Sequence, residues 1–434
     1  MGGDTTRRYV DVNLRMNKPP QANGIAGCGY PSEYMPSRRT ILTIIGTRPE
    51  AIKMAPVLKE IERHSSRFRS VLMTTEQHRE LLDQAMTAFG LRADIHLGLM
   101  EADQGLSRFA TRSLAAASEV LDEMRPDMVL VQGDTTTVFT AALAAFYARI
   151  PVGHVEAGLR SHDRANPYPE EVNRRLTTVL ADLHFAPTER ARLNLLATRV
   201  PDDHIFVTGN TIVDALQMMR PDPAYDSAEL DRIAAQPGRI IFVTAHRREN
   251  HGQHLHDICR AVAEIVHRYE DVRIVWPVHL NPHVISVTTE MLANEPRVHL
   301  VAPATYGDTL RLMRRAYLLL SDSGGVQEEA PSMHRPLLVL REVTERPEVI
   351  EVGAAKLVGT DPRTIVGEVH RLLSDADAYR AMASAPNPFG DGHAARRIVA
   401  AIGRHFGFAE EGPIGYDAVA DPPVANDKAM TVVI

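Results

Sequence analysis

The sequence predicts an α/β protein built on two parallel sheets. From Ile41 onward, short runs of β-branched and aliphatic residues alternate with longer stretches whose apolar residues recur at helical spacing. Strands that are apolar throughout and separated by helices are typical of parallel sheets covered on both faces. About eleven such strands exceed the usual size of one doubly wound sheet. A chain of 434 residues is also long for a single core.

The strand candidates fall into two groups in chain order. The first group is ILTIIG, MVLVQG, VGHVEA, LHFAP and IFVTGN; the second is RIIFVTAH, VRIVWPVH, VHLVAP, YLLLSDS, PLLVLR and KLVG. Helical patterns such as AALAAFYAR and IVGEVHRLLSD lie between most of them. The boundary between two domains is expected near Gly209-Asn210 or in RPDPAYDSAELDRIAAQPG, where three prolines precede a fresh strand.

These signals give a domain organisation. We expect a first domain at residues 40–208 and a second, nucleotide-binding domain at residues 209–385. The segment NPFGDGHAARRIVAAIGRHF predicts a loop and a last helix at residues 386–407. Residues 1–39 and 408–434 lack core patterning, so we expect them to be flexible extensions.

Composition argues against several classes of protein. The formal net charge of −7 provides no basic surface for nucleic acid, so an anionic ligand would need locally placed Arg, Lys or helix N-termini. Only Cys28 and Cys259 are present, which argues against a disulfide framework or a cysteine zinc site. No apolar run approaches the roughly 20 residues that span a bilayer, and the N-terminus has no apolar signal core. We therefore expect a cytoplasmic protein without a membrane partner.

The segment GTRPEAIK places two cations at the start of a predicted helix. It follows the strand ILTIIG, and open α/β sheets bind ligands at the carboxyl ends of their strands. Arg48 and Lys53 would stand beside free N–H groups that already favour an anion. Solvated surface cations are the alternative for either residue alone. Together with the other motifs, a phosphate contact is the favoured interpretation.

A glycine-rich turn, DSGGVQEEA, follows the strand YLLLS. Gly324 and Gly325 would let a ligand approach the backbone, and the helix that begins there offers N–H groups to a pyrophosphate. Glu329, one turn into the helix, could accept hydrogen bonds from ribose hydroxyls. The alternative is a plain helix start with Ser323 as the N-cap and Glu329 on the surface.

Two histidines end successive strands in the same half of the chain. His246 follows IIFVTA and His279 follows IVWPV. A lone histidine is more often structural than catalytic, but two at successive strand ends favour ligand contact. Their spacing is not that of a compact zinc motif, so we do not expect a metal here.

Three carboxylates also stand where strands are expected to end, and such a group suits proton transfer at a bound ligand. Asp134 follows LVQG, although it could instead cap the helix that begins at TTT. Glu156 lies in the apolar segment HVEAG, which suits a partly buried proton acceptor. Glu170 and Glu171 would point to different faces of a helix, one into the site and one into solvent. Arg174, one turn further, could pair with Glu170 and position it.

Eight segments make the sequence resemble a known enzyme family. They are GTRPEAIKMAP, QHRELLDQ, GDTTT, HVEAGLRS, PEEVNRR, HRREN, DSGGVQEEAPS and TERPE. In this order they are similar to the non-hydrolysing UDP-N-acetylglucosamine 2-epimerases, and the similarity runs from about Ile41 to Phe406. The resemblance implies two Rossmann-like domains that face a cleft, a GT-B-like arrangement, with the last helix crossing back to the first domain. It also implies a homodimer that uses neither a metal nor a nicotinamide cofactor.

The resemblance further implies a reaction and its residues. The family interconverts UDP-N-acetylglucosamine and UDP-N-acetylmannosamine by removing the C2 proton and expelling UDP. The bound 2-acetamidoglucal is then reprotonated on the opposite face, and UDP re-adds. The acid/base set carried over by matching motif is Asp134, Glu156, Glu170 and His246. The substrate-binding set is Arg48, Lys53, Arg174, His279, Ser323, Gly324, Gly325, Glu329 and Arg346.

Several positions depart from the family pattern, mainly in the second half of the chain. They are Ala245 for the Gly before HRREN, Ala302-Pro303 for Glu-Pro, Met333-His334-Arg335 for Leu-Gly-Lys, and VIEVG for GVEAG. Thr309 also stands where an aromatic residue packs against uracil, and Tyr306 is a candidate to replace it. The acid/base positions are intact, so we expect chemistry on a nucleotide sugar with altered base recognition. Repacking at the edge of an unchanged uridine pocket is the alternative.

Other functions fit parts of the pattern. A hydrolysing 2-epimerase shares the motifs but lets water reach the intermediate, and so releases N-acetylmannosamine and UDP. An epimerase or hydrolase of another nucleotide sugar would fit equally. A glycosyltransferase would use the Ser-Gly-Gly turn and Glu329 without needing the three carboxylates. A catalytically inactive nucleotide-sugar sensor would not need them either.

Overall fold

The structure is a computed structural model, and it describes residues 38–75, 79–99, 101, 104–219 and 225–409. The predicted extensions at residues 1–39 and 408–434 therefore lie almost wholly outside the described residues. Gln77 and His78 of the segment QHRELLDQ lie outside them as well.

Thirteen strands occur among the described residues. They are β1 (Arg39–Ile45), β2 (Phe68–Thr74), β3 (Ile95–His96), β4 (Met128–Gln132), β5 (Val152–Val155), β6 (Leu183–Ala186), β7 (Ile205–Val207), β8 (Arg239–Thr244), β9 (Val272–Pro277), β10 (Val298–Val301), β11 (Leu318–Ser321), β12 (Leu337–Val339) and β13 (Ala355–Leu357). All eleven segments that the sequence marks as strands are present. The sequence did not signal β2, whose apolar pattern in FRSVLMT is interrupted by Arg69 and Ser70, or the two-residue β3.

Sixteen α-helices connect the strands in the described part of the chain. They are α1 (Arg48–Arg63), α2 (Arg79–Ala88), α3 (Leu106–Met124), α4 (Thr136–Tyr147), α5 (Glu170–Leu180), α6 (Glu189–Ala197), α7 (Thr211–Met218), α8 (Ala228–Ala234), α9 (Gln253–Arg268), α10 (Pro282–Leu292), α11 (Tyr306–Arg315), α12 (Gly324–Glu329), α13 (Pro347–Glu351), α14 (Pro362–Ser374), α15 (Ala376–Ala383) and α16 (Ala394–His405). None of these described helices combines the length and the apolar character needed to cross a membrane.

The first seven strands form one sheet in the order β3-β2-β1-β4-β5-β6-β7. The pairs β1/β2, β1/β4, β2/β3 and β4/β5 are parallel. Every residue of β4, MVLVQ, is buried, as expected for a strand covered on both faces. The strand order reverses between β1 and β4. Sheets of this kind bind ligands outside the carboxyl ends of strands at such a reversal.

The other six strands form a second sheet in the order β10-β9-β8-β11-β12-β13, and every neighbouring pair is parallel. This order repeats the 3-2-1-4-5-6 pattern of doubly wound nucleotide-binding folds. Its reversal lies between β8 and β11, where Thr244 is in register with Ser321. The predicted fold class, α/β with two Rossmann-like sheets, is therefore confirmed.

The chain divides into two compact units. The first runs to Val155 and takes in Tyr168–His184, whereas the second consists of Glu156–Pro167 and the chain from Phe185 onward. All strands of the first sheet precede residue 209 and all strands of the second follow it. The domain bounds 40–208, 209–385 and 386–407 stay predictions, as does the return of the last helix to the first domain.

Each unit has its own apolar core. In the first, Val131 of β4 and Ala142 of α4 are fully buried. In the second, Trp276 of β9 and Val262 of α9 are fully buried. Removing such side chains from water is the main favourable contribution to folding. The two cores fix the strands, and the strands fix the turns that carry the site residues.

The last helix, α16, is anchored by a buried carboxylate within the second unit. Asp214 of α7 accepts the backbone N–H groups of Ala394, at 3.2 Å, and Ala395, at 2.9 Å. These are among the N–H groups that a helix start leaves without an intrahelical partner. Burial raises the pKa of Asp214 to about 7.

Candidate active site

The predicted site residues form two clusters, one in each unit, and most of them lie just after the carboxyl end of a strand. The first-unit cluster consists of residues after β1 and β4 and on α5: Arg48, Lys53, Asp134, Glu170 and Arg174. The second-unit cluster consists of residues after β5, β8, β9 and β11 and in the 341–346 turn: Glu156, His246, His279, Ser323, Gly324, Gly325, Glu329 and Arg346. Each cluster is described within its own unit.

Two cations of the first-unit cluster lie on the first turns of α1. Arg48 is the first residue of the helix and is half-buried. Lys53 is only 8% exposed, so the alternative of a solvated surface cation is wrong for this residue. A buried ammonium is seldom found in proteins unless it is paired. The placement at a helix start suits an anionic ligand.

A carboxylate that the sequence analysis missed holds the same turn. Glu50 is 2% exposed, and its Oε2 accepts the N–H groups of Gly46 and, at 3.2 Å, of Thr47. Its Oε1 accepts the hydroxyl of Thr135 at 2.7 Å. Burial raises the pKa of Glu50 to about 7, while these hydrogen bonds oppose the rise. The signal was present in the sequence, because Thr47-x-x-Glu50 has the spacing of a capping box.

Asp134 lies in the turn between β4 and α4, and its carboxylate accepts a hydrogen bond from Arg174. Asn173 donates to the backbone carbonyl of Asp134 at 3.0 Å. The alternative that Asp134 caps α4 is wrong. Thr135 is the N-cap, and its side chain accepts the N–H of Val138 at 3.4 Å. The Asp134 carboxylate is thus held by a guanidinium. Its side chain is still 27% exposed, which leaves it accessible to a ligand.

The start of α5 differs from expectation in its pairing. Arg174 donates to Asp134 and, at 3.2 Å, to Glu171, whereas the sequence suggested Glu170 as its partner. Glu171 is fully buried and also receives a hydrogen bond from Arg175 at 2.7 Å. Glu170, the first residue of the helix, is half-buried. The expectation that one of the two glutamates is solvated is therefore wrong. Glu171 holds Arg174, and Arg174 holds Asp134.

Glu156 follows β5 directly and belongs to the second unit. It is 9% exposed, which confirms the expected burial, and Asn210 donates to its Oε1 at 3.3 Å. Its φ of 65° lies in the left-handed region that non-glycine residues seldom occupy. Such strained positions are concentrated at functional sites, so the backbone supports a role for this carboxylate.

His246 and His279 come together, and a buried aspartate lies beside them. Their rings stack with centroids 5.3 Å apart. Asp322, which the sequence analysis missed, is fully buried, and its Oδ2 accepts the N–H groups of His246 and Arg247 at 2.8 Å. Asn250 donates to the same oxygen at 2.9 Å. The other oxygen, Oδ1, is 3.6 Å from His246 Nδ1, so Asp322 holds the backbone of the His246 turn and lies beside the imidazole.

The Ser-Gly-Gly turn begins the short helix α12, with Ser323 at the N-cap position but without a side-chain cap. The alternative of a plain helix start is correct in placing Ser323 at the N-cap position, but it is wrong in placing Glu329 on the surface, because Glu329 is buried. A Cβ on Gly324 would lie 2.8 Å from the guanidinium of Arg346, so a larger residue there would displace that guanidinium. Arg346 is 15% exposed and donates to Glu328 at 2.6 Å. The Ser-Gly-Gly turn thus packs directly against Arg346.

Charges around Arg346 keep it ionised. Burial alone would lower the pKa of Arg346, but the carboxylates of Glu328, Glu345 and Glu156 raise it. Burial alone would likewise raise the pKa of Glu345, yet Arg341, Arg346 and Arg247 hold it at about 2. Such a fixed guanidinium suits a phosphate group.

Glu329 lies at the end of α12, and it is not on the surface. It is 7% exposed, and Tyr306 donates its hydroxyl to Glu329 Oε1 at 2.9 Å. Thr309, one turn further along α11, donates to the carbonyl of Thr305 at 2.9 Å. Tyr306 is therefore tied to the residue that was expected to meet the ribose.

The chemistry available in both clusters is proton transfer and anion binding. Carboxylates and a histidine stand at strand ends, and cations or glycines stand at helix starts. No group of three or more His, Cys, Asp or Glu in the described part of the chain is arranged to hold a metal ion.

Comparisons with known proteins agree with this geometry. The model of the UDP-N-acetylglucosamine 2-epimerase family matches residues 59–403. The UDP-N-acetylglucosamine 2-epimerase of Salmonella typhimurium is 49% identical over 369 residues, which cover 83% of this chain and 98% of the relative. The enzyme of that name from Bacillus subtilis is 46% identical over 373 residues, covering 86% of this chain and 97% of the relative.

Solved structures give the same result. The S. aureus MnaA structure with UDP has a TM-score of 0.81 and 42% identity, covering 87% of this chain and 100% of that one. The Neisseria meningitidis UDP-GlcNAc 2-epimerase bound to UDP-GlcNAc has a TM-score of 0.78 and 43% identity, covering 84% and 100%.

Two doubly wound sheets with acid/base residues mainly at the carboxyl ends of strands define an acid–base enzyme on an α/β scaffold. The resemblance carried by the eight segments is confirmed. The chain belongs to the UDP-N-acetylglucosamine 2-epimerase family and is an isomerase.

Proposed function

We propose that this protein inverts C2 of a UDP-N-acetylhexosamine and so interconverts UDP-N-acetylglucosamine and UDP-N-acetylmannosamine. The observation that carries the proposal is the intact set Asp134, Glu156, Glu170 and His246 in a chain 49% identical to a UDP-N-acetylglucosamine 2-epimerase. The Neisseria meningitidis relative, solved with UDP-GlcNAc, supports the substrate class.

The proposed steps balance without a redox partner. A carboxylate takes the C2 proton, and the electron pair of that C–H bond forms a C1=C2 double bond. The C1–oxygen bond breaks, and UDP leaves with its electron pair. A proton then returns to the opposite face of C2 while UDP re-adds at C1. Asp134, Glu156 and Glu170 supply the carboxylates for proton transfer, and His246 acts at the leaving diphosphate.

Nucleotide binding is assigned to the remaining residues of both clusters. Arg48 and Lys53 at the start of α1 contact phosphate, with Arg174 holding Asp134 in place. In the second unit, Ser323, Gly324, Gly325 and Arg346 hold the diphosphate, and Glu329 accepts ribose hydroxyls. His279, stacked on His246, completes the substrate contacts.

A hydrolysing 2-epimerase is the second candidate, because it shares the motifs and differs only in whether water adds to the glycal. Incubation with UDP-GlcNAc in deuterated water, followed by NMR, separates the outcomes. UDP-ManNAc with deuterium at C2 is expected. Free ManNAc with UDP would show the hydrolytic reaction instead. Absence of both exchange and product, with UDP-GlcNAc still bound, would overturn the proposed epimerisation.

We also propose a cytoplasmic homodimer. The first unit exposes large apolar side chains on α4 and α5: Phe146 at 56%, Tyr147 at 67%, Leu176 at 42% and Val179 at 81%. A second copy that covers this face would remove them from water. Val179→Glu should shift the protein to a monomer in analytical ultracentrifugation. The matched control is Leu193→Glu, because Leu193 is 55% exposed on α6 of the second unit. A dimer unaffected by Val179→Glu would exclude this face.

A further inference from the structure

Glu50 is buried at the start of α1, and the proposed reaction assigns it no role. Its Oε2 is bound by the N–H groups of Gly46 and Thr47, in the turn that follows β1. Its Oε1 is bound by the hydroxyl of Thr135, in the turn that follows β4. One carboxylate therefore joins two turns that belong to neighbouring strands. An ordinary capping residue satisfies only the N–H groups of its own helix.

In each turn, one contact of Glu50 lies directly beside a site residue. Arg48 follows Thr47, and Asp134 precedes Thr135. The turn before α1 is closely packed. A Cβ on Gly46 would collide with the hydroxyls of both Thr75 and Thr137, so the backbone there is packed against its neighbours.

The Asp134 turn is held from its other sides as well. His154 Nε2 lies 2.7 Å from the carbonyl of Gly133, and Asn173 donates to the carbonyl of Asp134 at 3.0 Å. Arg174 holds the carboxylate of Asp134. Among the hydrogen bonds that the structure shows at this turn, the bond from Thr135 to Glu50 is the one that ties it to the start of α1.

We propose that Glu50 is a positioning residue that fixes the Asp134 turn relative to the Arg48 turn. Its oxygens are occupied by Gly46, Thr47 and Thr135, so it acts through them and not on the substrate. Misplacement of a reacting group by about 1 Å can cost on the order of 100-fold in rate. Loss of Glu50 should therefore affect proton transfer through Asp134 and phosphate binding through Arg48. The proposal rests on the proposed function, because its main assay is C2 exchange.

Asp214 provides a matched control. Like Glu50 it is a buried carboxylate that accepts two backbone N–H groups at a helix start, and burial raises its pKa to the same value of about 7. No predicted site residue adjoins it in sequence. A carboxylate that matters only for stability should behave like Asp214.

The experiment compares Glu50→Ala, Glu50→Gln and Asp214→Ala by kcat and KM for C2 exchange, UDP affinity from calorimetry, and Tm. For Glu50→Ala we expect kcat to fall about tenfold or more and the Kd of UDP to rise about tenfold. Glu50→Gln should recover both to within about threefold, because its amide oxygen can accept the two N–H groups and its amide NH2 can donate to Thr135. Asp214→Ala should lower Tm with kcat and KM unchanged.

Thr135→Val separates the effect of Glu50 on the Asp134 turn from its effect on the Arg48 turn. It removes the hydroxyl that donates to Glu50 and that also caps α4 by accepting the N–H of Val138, so Thr135→Ser, which keeps the hydroxyl, is its control. We expect kcat to fall in Thr135→Val but not in Thr135→Ser, with UDP affinity close to wild type in both. In the double variant with Glu50→Ala, the losses in kcat should not add, because both changes break one link. Should Glu50→Ala fail to fold, Thr135→Val still tests that link from the other side.

A lowered Tm with unchanged kcat, KM and UDP affinity in Glu50→Ala would overturn the proposal and make Glu50 a helix cap. A Glu50→Gln variant as impaired as Glu50→Ala, with a displaced pH profile, would overturn it in favour of a role for the charge. Inactivity of the wild-type protein on UDP-GlcNAc would sink the proposed function instead. In that event the ratio of UDP affinities between Glu50→Ala and wild type still tests whether Glu50 supports phosphate binding through Arg48.

Discussion

Two buried carboxylates hold the site turns of the two units, and they do so by different routes. In the first unit, Glu50 lies on the helix that follows its turn and accepts N–H groups only three or four residues away. In the second, Asp322 comes from the end of β11 and accepts the N–H groups of His246 and Arg247, which lie 76 and 75 residues away in sequence. A buried carboxylate that accepts backbone N–H groups is thus a local contact in the first unit and a long-range contact in the second.

The difference bears on what each carboxylate can influence. Glu50 also accepts the hydroxyl of Thr135, in the turn after the neighbouring strand β4, so it joins two turns. Asp322 concentrates three donors on a single oxygen and leaves the other 3.6 Å from the imidazole of His246. Among the described residues Asp322 Oδ1 has no hydrogen-bond partner. In the second unit Asp322 therefore holds the backbone of one turn, whereas in the first unit Glu50 joins two turns.

The largest effect should come from a residue that transfers the proton itself. In Glu156→Gln the new amide oxygen can still accept the hydrogen bond that Asn210 donates at 3.3 Å, but the amide cannot take up a proton. We expect C2 exchange to fall by about 100-fold or more, because general acid–base catalysis contributes that much. UDP affinity and Tm should stay near wild type. Wild-type exchange by Glu156→Gln would remove it from the proton-transfer set.

A smaller loss is expected when Asp322 is changed. Asp322→Ala removes the acceptor of the part-buried N–H groups of His246 and Arg247, at about 1–3 kcal/mol for a buried group left unsatisfied. Tm should drop, and kcat should fall about tenfold because the turn that carries His246 loses its support. The matched control is Thr288→Ala, which removes a buried hydroxyl that donates within its own helix α10, to the carbonyl of Val284 at 2.8 Å. If both variants lose stability while neither loses kcat, Asp322 serves the fold alone.

Binding should be affected more than turnover when Arg48 is removed. Arg48→Ala deletes a half-buried guanidinium at the start of α1, where a charge-assisted contact to phosphate contributes about 1.5–3 kcal/mol. We expect UDP affinity to weaken about 10- to 100-fold with Tm nearly unchanged. Calorimetry that shows wild-type UDP affinity would return Arg48 to the interpretation as a surface cation.

The same contrast between local and long-range contacts explains how far the sequence could be interpreted. Apolar runs separated by helical patterns predicted the two sheets, because burial on both faces is visible residue by residue. Strand β2 was missed because Arg69 and Ser70 interrupt its apolar pattern. Strand ends located both clusters, since the carboxyl ends of parallel strands share one edge.

The missed residues divide in the same way. Glu50 was within reach of sequence analysis, because Thr47 and Glu50 have capping-box spacing. Asp322 adjoins the Ser-Gly-Gly turn, but nothing in the sequence shows that its acceptor serves the N–H of His246. The partner of Arg174 was assigned to Glu170 rather than Glu171, because spacings of three and four residues both allow contact on a helix. The buried face of α5 decided between them.

Selectivity for the nucleotide base should depend on residues of the second unit alone. Thr309 cannot stack on a base, and Tyr306 donates its hydroxyl to Glu329. Aromatic stacking contributes on the order of 1–3 kcal/mol per base in nucleic-acid binders. We expect modest UDP affinity or acceptance of another nucleoside diphosphate in a competition panel of UDP, TDP, GDP, ADP and CDP. Competition by UDP alone at low micromolar concentration would show that the pocket edge is merely repacked.

The smallest expected effect is a dependence of stability on pH, and it should be shared by Glu50 and Asp214. Burial raises the pKa of Glu50 from 4.5 and that of Asp214 from 3.8, each to about 7. The folded protein therefore holds protons that the unfolded chain has lost between about pH 4 and pH 7. The stability that these protons confer is complete below the unfolded pKa, and it is lost as pH rises through about 7. Glu50→Gln and Asp214→Asn, which cannot ionise, should each gain a few degrees of Tm relative to wild type as pH is raised across that window. Parallel Tm curves for a variant and wild type from pH 4 to pH 8 would show that the carboxylate stays ionised in the fold, with its hydrogen-bond donors outweighing burial.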